Sequence, residues 1–392
     1  MLNEQGQREL AYVVTIDNIE PIVGSDNCEA AYVGGWHIMV RKNTFVPGDV
    51  AVYFEIDSHL DTNKPEFAFL EKKHGNIKTQ KYTFGGKGNF ISQGLLMSFS
   101  DFGWEKDTHK VGDFLTKELE VTYSMPEDNV RKSSGDKYKS MASRHPSIFK
   151  TPWARWLMRH NWGRKLMFFF FGKKSDKKSE WPKWVVKTDE ERIQNIPWIV
   201  GDPNQEWIAT EKIDGTSTTF TMRRKGRKLY ICSRNMVFDN PKKNCYYDTN
   251  FYVEMAGKYQ MEDILNRILN DNKELQFITI QAETYGESVQ KRDYGMKGRD
   301  MAVFNVILGH ADETRERLNP IAGSEFANKY GLPYVPVLGS MHLPTDCEGV
   351  LALAGGTSKL DGGMREGIVF RSVDGVQSFK AVDNEFLLKY HG

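Results

Sequence analysis

The hydrophobic positions of the first third of the chain fall in short β-branched or aromatic runs, at residues 11–16, 30–40 and 50–56. Gly34-Gly35, the Pro47-Gly48-Asp49 turn and the glycine-rich stretch 85–88 separate them. Short strands at such spacing predict a small closed β-barrel. Residues 121–180 show little periodicity, although 153–164 reads as a helix. From about residue 181 the pattern becomes mixed. Thr188 with Glu191 three positions on fits a capping box, which predicts a short helix reaching Asn195, where Pro197 stops it. Strands follow at 206–210, 217–223 and 227–233. Tyr259, Ile264, Leu265, Ile268 and Leu269 fall near helical spacing and predict a helix over 252–271. Later strands are expected at 277–283, 301–308, 367–372 and 376–382. A helix over 320–330 is framed by Pro320 and Gly331. No internal repeat is evident.

Composition narrows the class. With 392 residues, 40% hydrophobic and 12% aromatic, the chain can build two or three cored domains and is not disordered. No apolar run approaches the roughly 18 residues that span a bilayer, and the polar N-terminus is unlike a signal peptide. Four cysteines without a CxxC pair argue against a disulfide scaffold or a thiolate zinc site. A cytoplasmic location is the expectation.

The net charge of +1 hides an asymmetry. Between Arg131 and Lys187 sixteen Lys or Arg face three acids, interleaved with Trp153, Trp156, Trp162, Phe168 to Phe171, Trp181 and Trp184. Cations that follow a phosphate backbone and rings that stack on bases suit single-stranded nucleic acid. An anionic membrane surface, or aromatics stapling an insertion to its own domain, remain alternatives.

One strand carries candidate chemistry at its end, Glu211-Lys212-Ile213-Asp214-Gly215. A lysine is a nucleophile only as the neutral amine. From a reference pKa of about 10.4, reaching that form near pH 7.4 takes roughly 4 kcal/mol. Such a site is expected to depress the lysine with a second cation or a metal. Lys212 and Asp214, two apart on a strand, share a face. The same four-residue pattern recurs at Lys359-Leu360-Asp361-Gly362, with no strand leading in, and reads as a loop. Gly85-Gly86-Lys87-Gly88 lacks the spacing of a phosphate-cradling loop and reads as a turn.

Further signals follow Lys212 in order: Ser233-Arg234-Asn235, Glu283-Thr284-Tyr285-Gly286, Met301 to Phe304, Arg365-Glu366-Gly367, Ser378-Phe379-Lys380 and Phe386 to Lys389. This ordered set resembles the covalent nucleotidyltransferases, the superfamily of ATP-dependent ligases and mRNA-capping enzymes. Within it the chain is most similar to ATP-dependent RNA ligases that carry an N-terminal OB-like domain. Gly35-Trp36-His37, Pro47-Gly48-Asp49, Tyr53-Phe54-Glu55 and the stretch Lys187 to Asn195 add to that likeness. The resemblance covers roughly 10–120 and 181–390.

It implies an α+β protein: an OB-like β-barrel over 1–120, a basic aromatic insertion over 121–180, and an adenylyltransferase domain of antiparallel sheets with flanking helices over 181–392. It further implies that Lys212 takes AMP from ATP as a phosphoramidate, passes it to a 5′-phosphate, and that a 3′-hydroxyl then displaces AMP. Asp214, Glu283 and Glu366 would hold Mg²⁺ or Mn²⁺, and Glu283 and Glu366 would also contact the nucleotide. Lys380 would be the second cation, with Ser378 standing where many relatives place another lysine. Arg234 would hold ribose or phosphate, Phe304 would stack on adenine, and Glu211 would read the base. Arg192 and Lys389 are further candidates for phosphate contacts. The expected partners are RNA ends, with no membrane, and the expected state is a monomer. Since the sequence ends three residues after Lys389, the C-terminal OB domain of DNA ligases and capping enzymes is not expected. The alternatives are a GTP-dependent capping-type transferase and a nucleic-acid-binding protein with a dead catalytic domain.

Overall fold

The computed structural model describes residues 1–3, 7–86, 88–123, 148, 151–160, 162–163, 166–167, 181–187, 189–234, 236–238, 250–312 and 314–391. Thr188, Asn235, Phe168 to Phe171 and most of the basic stretch lie outside the described residues. The chain divides into two compact units, Met1–Thr122 with Glu180–Gly392, and Tyr123–Ser179. In the second unit a helix spans Pro152–Arg159, with proline in its first turn. Trp153 and Trp156 are exposed there.

The N-terminal part of the first unit is a β-barrel. Strands β1 (Ala11–Thr15), β5 (Val50–Phe54) and β9 (Leu95–Met97) form one antiparallel sheet. The meander β2 (Asn18–Pro21), β3 (Cys28–Val33) and β4 (Trp36–Arg41) forms another. The hairpin β7 (Thr79–Thr83) and β8 (Asn89–Gln93), and the short pair β6 (Ser58–His59) and β10 (Thr122–Tyr123), complete it. In β4 alternate residues Trp36, Ile38 and Val40 are buried, the period-two pattern of a strand with one wet face. By contrast β5 is buried on both faces: Ala51 and Tyr53 enter the barrel core, while Phe54 meets Phe67 of a 3₁₀ helix, Pro65–Lys73.

Two antiparallel sheets make the C-terminal part. One has the order β18 (Val337–His342), β11 (Glu206–Lys212), β19 (Gly367–Ser372), β20 (Ser378–Val382). The other runs β14 (Val237–Phe238), β13 (Leu229–Cys232), β12 (Thr216–Arg223), β15 (Phe277–Gly286), β16 (Arg299–Gly309), β17 (Arg315–Arg317). Helices Phe251–Lys258 and Met261–Asp271 bury Met255, Leu265, Ile268 and Leu269 against Phe220, Met222, Ile278 and Ile280 of the larger sheet. The single helix expected over 252–271 is therefore two. Gln260 sits at φ 50° and breaks it, yet both halves press one apolar face on the same sheet, so the spacing continues across the break. Helix Pro320–Lys329 is capped by Asn319, whose side chain accepts from the amides of Ile321 and Ala322.

The helix expected up to Asn195 is only a 3₁₀ turn, Ile193–Asn195. Its upstream backbone is spent elsewhere: the Lys380 amide donates to the Glu191 carbonyl at 2.7 Å, and Arg192 bridges to Lys380 in parallel. That turn also fastens the barrel. Fully buried Glu55 of the barrel accepts from Asn195 Nδ2 at 2.7 Å and from Arg8 at 2.9 Å. Asn195 Oδ1 in turn accepts from Trp36 Nε1 at 2.6 Å. Among the described residues no helix is long and apolar enough to cross a membrane.

Candidate active site

Lys212 ends β11 opposite Gly367, and Thr210 stands opposite Val369, which pairs with Lys380. Cross-strand partners share a face, so Lys212 and Lys380 project from the same side of the smaller sheet. From the larger sheet Glu283 comes up beside the turn that follows Lys212. That turn has no room to spare. A Cβ on Gly215 would lie 2.3 Å from the Thr284 carbonyl oxygen and 2.9 Å from Glu283 Cγ. The second copy of the pattern differs: Gly362 has φ 73° and open space around its Cα.

Lys212 Nζ lies 2.7 Å from Glu366 Oε1. Burial opposes its charge, but Glu366, Glu283 and Asp214 outweigh burial and hold its pKa above the ordinary lysine value. The depressed Lys212 expected from sequence is thus not found in the ligand-free protein, because its nearest neighbours are acids. Lys380 is the depressed one. Burial brings it down to about 8 although Asp189 opposes the fall, and Arg8, Arg192 and Lys212 push the same way as burial. Its Nζ is 2.9 Å from Asp189 Oδ1. Arg234 pairs with the other oxygen of Asp189. Burial alone would raise that carboxyl, yet Lys380 and Arg234 hold it well below the usual carboxylate range.

Asp214 is positioned by its backbone, which donates to the Tyr294 hydroxyl at 2.7 Å. Tyr294 lies under the Arg292 guanidinium, 4.0 Å from its ring centre, and Arg292 pairs with Asp361 of the second Lys-x-Asp-Gly loop. Glu211 holds the same loop: its carboxylate accepts from Ser358 Oγ at 2.5 Å and from the Lys359 amide at 2.7 Å. Phe304 is half-buried among Ile213, Tyr285 and Tyr294. Arg192 is buried over the Trp36 ring, near Asp57. Lys389 is exposed, its amine 5.0 Å from the Tyr390 ring centre.

Among the described residues no three acid, imidazole or thiol groups stand close enough to ligate one metal ion directly. The acids nonetheless suit a hydrated divalent ion. Asp214 Oδ2 and Glu366 Oε2 are buried without a hydrogen-bond partner, and burial drives the Glu283 carboxyl up to about 8. Hard oxygens held short of direct ligation fit Mg²⁺ or Mn²⁺ bound partly through water. Sequence reasoning missed Asp189, Arg292, Tyr294 and His391, whose Nε2 is 3.4 Å from Asp214 Oδ1. Asp189 lies within the Lys187 to Asn195 stretch that carries part of the likeness, which could have pointed to it; no local pattern marks the other three, and each bears on a residue far away in the chain.

A lysine paired with one acid and held under the charge of two more thus lies where two antiparallel sheets meet, in a unit that also contains a β-barrel. Residues 205–391 match the family model for RNA ligase, and residues 10–98 match that for an OB-fold domain. The chain thus carries an RNA ligase domain over 205–391, preceded by an OB-fold domain over 10–98. It is similar to the solved RNA ligase of Naegleria gruberi with PPi, at 27% identity and a TM-score of 0.73, covering 98% of this chain and 99% of that one. A variant of the Naegleria gruberi enzyme solved with ATP and Mn matches at 27% identity and a TM-score of 0.72, over 98% of this chain and all of that one. Another, with AMP and Mn, matches at 26% identity and 0.72, over 98% of this chain and 99% of that one. No curated protein matches the chain.

Proposed function

We propose that this RNA ligase is ATP-dependent and seals a 3′-hydroxyl to a 5′-phosphate through a covalent lysyl-AMP. The observation that carries this reading is the Lys212 amine held 2.7 Å from Glu366 and under the charge of Glu283 and Asp214. Lys212 Nζ, having lost its proton, attacks the α-phosphorus of ATP; the P–N bond forms, the P–O bond to the β-phosphate breaks, and pyrophosphate leaves. A 5′-phosphate oxygen then takes the AMP, the P–N bond breaks and the amine is restored. Finally the 3′-hydroxyl attacks the 5′-phosphorus and AMP departs. A divalent ion near Asp214, Glu283 and Glu366 would supply positive charge against the phosphate oxygens and compete with Lys212 for the same carboxylates. Lys380 and Arg234 would meet a phosphate once Asp189 releases them. Phe304 offers a face to the base, and Glu211 supports the nucleophile strand from behind. The basic, Trp-rich stretch supports contact with RNA, and we infer a cytoplasmic monomer.

Incubation with α-labelled ATP and Mn²⁺ is expected to leave an acid-labile, alkali-stable label on the protein. Chasing with RNA bearing 5′-phosphate and 3′-hydroxyl ends should move it to RNA and then release AMP as ends are sealed. Labelling by GTP instead would favour a capping-type transferase, and RNA binding without any labelling would favour a dead catalytic domain.

Gly215→Ala is expected to slow labelling by at least roughly 100-fold, because the new methyl must displace Thr284 or Glu283 and an ångström of misplacement is enough for that loss. Gly362→Ala should leave the labelling rate within about threefold, because the strain of a side chain at φ 73° falls on that loop and its methyl meets no other atom. Equal rates for the two variants would overturn the assignment of the first turn.

A further inference from the structure

A relay of three hydrogen-bonding groups links Val186, Gln281 and Asn305, the residue that follows Phe304. The Val186 carbonyl can only accept, and Gln281 Nε2 donates to it at 2.8 Å. That fixes which way the Gln281 amide faces. Its Oε1 must then accept, and it does so from Asn305 Nδ2 at 2.9 Å. The Asn305 amide is fixed in turn, and its Oδ1 is left with no partner among the described residues. Asn305 is 4% exposed and Gln281 1%. A buried acceptor without a donor is unfavourable by about 1–3 kcal/mol, so one held in place by a relay calls for a ligand.

The surroundings say which ligand. Gln281 and Asn305 line a cavity of about 210 Å³ together with Asp189, Glu190, Arg315 and Arg317. Asp189 at its edge holds Lys380 and Arg234, the cations offered to a phosphate. Gln281 lies two residues before Glu283 on one face of β15. The register of β15 and β16 shifts between Gln281 and Ala282, so that Gln281 faces Asn305, Ala282 faces Val303, and Phe304 is the extra residue between. This bulge sets an aromatic ring and a fixed acceptor side by side.

We propose that Asn305 reads the purine: its Oδ1 accepts from the 6-amino group of adenine lying against Phe304, and Gln281 is the positioning residue that keeps that oxygen aimed inward. This rests on the reading of the cleft as the ATP site. Guanine presents a 6-oxo group, so two acceptors would face each other there with no proton between them. A site built to receive a hydrogen bond rejects the analogue that lacks it.

The test measures self-labelling by ATP, by purine riboside triphosphate, which lacks the 6-amino group, and by GTP. In the unaltered protein kcat/KM should favour ATP over the 6-H analogue by about tenfold and over GTP by about 100-fold. Asn305→Leu should bring the ATP to 6-H ratio to about one by lowering the ATP value while sparing the analogue. Gln281→Met frees the Asn305 amide to turn its Nδ2 inward and should raise GTP use relative to ATP by about tenfold, with thermal melts confirming that each variant is folded. An unchanged ATP to 6-H ratio in Asn305→Leu, or a uniform loss with all three nucleotides in both variants, would show a packing role and overturn the proposal. Failure of ATP to label the unaltered protein would instead overturn the reading of the whole site.

Discussion

Lys212→Ala should abolish nucleotide labelling outright, while Lys359→Ala should leave it unchanged. The two lysines open identical four-residue patterns, so any difference comes from their surroundings. Lys212 stands at the end of a paired strand, its amine drawn into a ring of Glu366, Glu283 and Asp214. Those carboxylates keep the amine charged while nothing is bound, so loss of its proton has to accompany loading of the site. Lys359 is exposed, and only its backbone amide is used, to hold Glu211. Alanine keeps that amide. Lys380, with a pKa of about 8, is the easier of the buried lysines to deprotonate, but its amine is engaged by Asp189. Mapping the labelled peptide separates the candidates. Label recovered on Lys380, or persisting in Lys212→Ala, would overturn the nucleophile assignment.

Acid should loosen the junction of the OB-fold and ligase domains through Glu55. Burial alone would raise this carboxyl, but Arg8, the N-terminal ammonium and the Asn195 amide lower it from 4.5 to about 2. A carboxyl depressed in the folded state releases its proton more readily there than in the unfolded chain. Its stabilisation is therefore complete above pH 4.5 and is lost as pH falls through about 2, a swing of about 3 kcal/mol. Glu55→Ala at neutral pH should be destabilising by about 3–5 kcal/mol, since Arg8 loses this carboxylate and Asn195 one of its two acceptors. Urea unfolding at pH 7 and pH 3 measures both. The deficit of the variant should shrink as pH falls, and a gap independent of pH would mean that packing, not charge, is what Glu55 supplies.

The same fastening reaches the chemistry. Asn195 belongs to the turn just after Glu191 and Arg192, and those residues lie along β20 at Lys380. Glu190, next to Asp189, is clamped by Arg371 at 3.1 Å and by Arg317 at 3.5 Å. Asp189 is thereby set between Lys380 and Arg234, an internal carboxylate occupying the ground between two cations. Nucleotide phosphate entering that ground must displace it.

Much of this was legible in local order. Strand-length apolar runs marked β1, β5, β11, β12, β15, β16 and β19, because burial on a pleated surface selects β-branched and aromatic residues wherever the strand goes. Lys212, Asp214 and Glu366 were readable as candidates at or beside strand ends, and Glu283 and Lys380 inside strands, through the motif order that carries the resemblance. Hidden from that reading were β18 and helix Cys347–Ala354, whose spacing is weak, and the break at Gln260, across which the apolar face continues.

What the tertiary structure alone decided is the ionisation and aim of those groups. With its own side chains alone, the protein holds Lys212 up, because acids from three separate stretches act on it, while burial depresses Lys380. The inward aim of the Asn305 acceptor follows from a carbonyl 119 residues earlier in the chain, at Val186. The identity of a side chain and its place on a strand are local properties, written residue by residue. Charge state and hydrogen-bond direction depend on the field and the partners at a point in space, and those are assembled only when distant segments fold together.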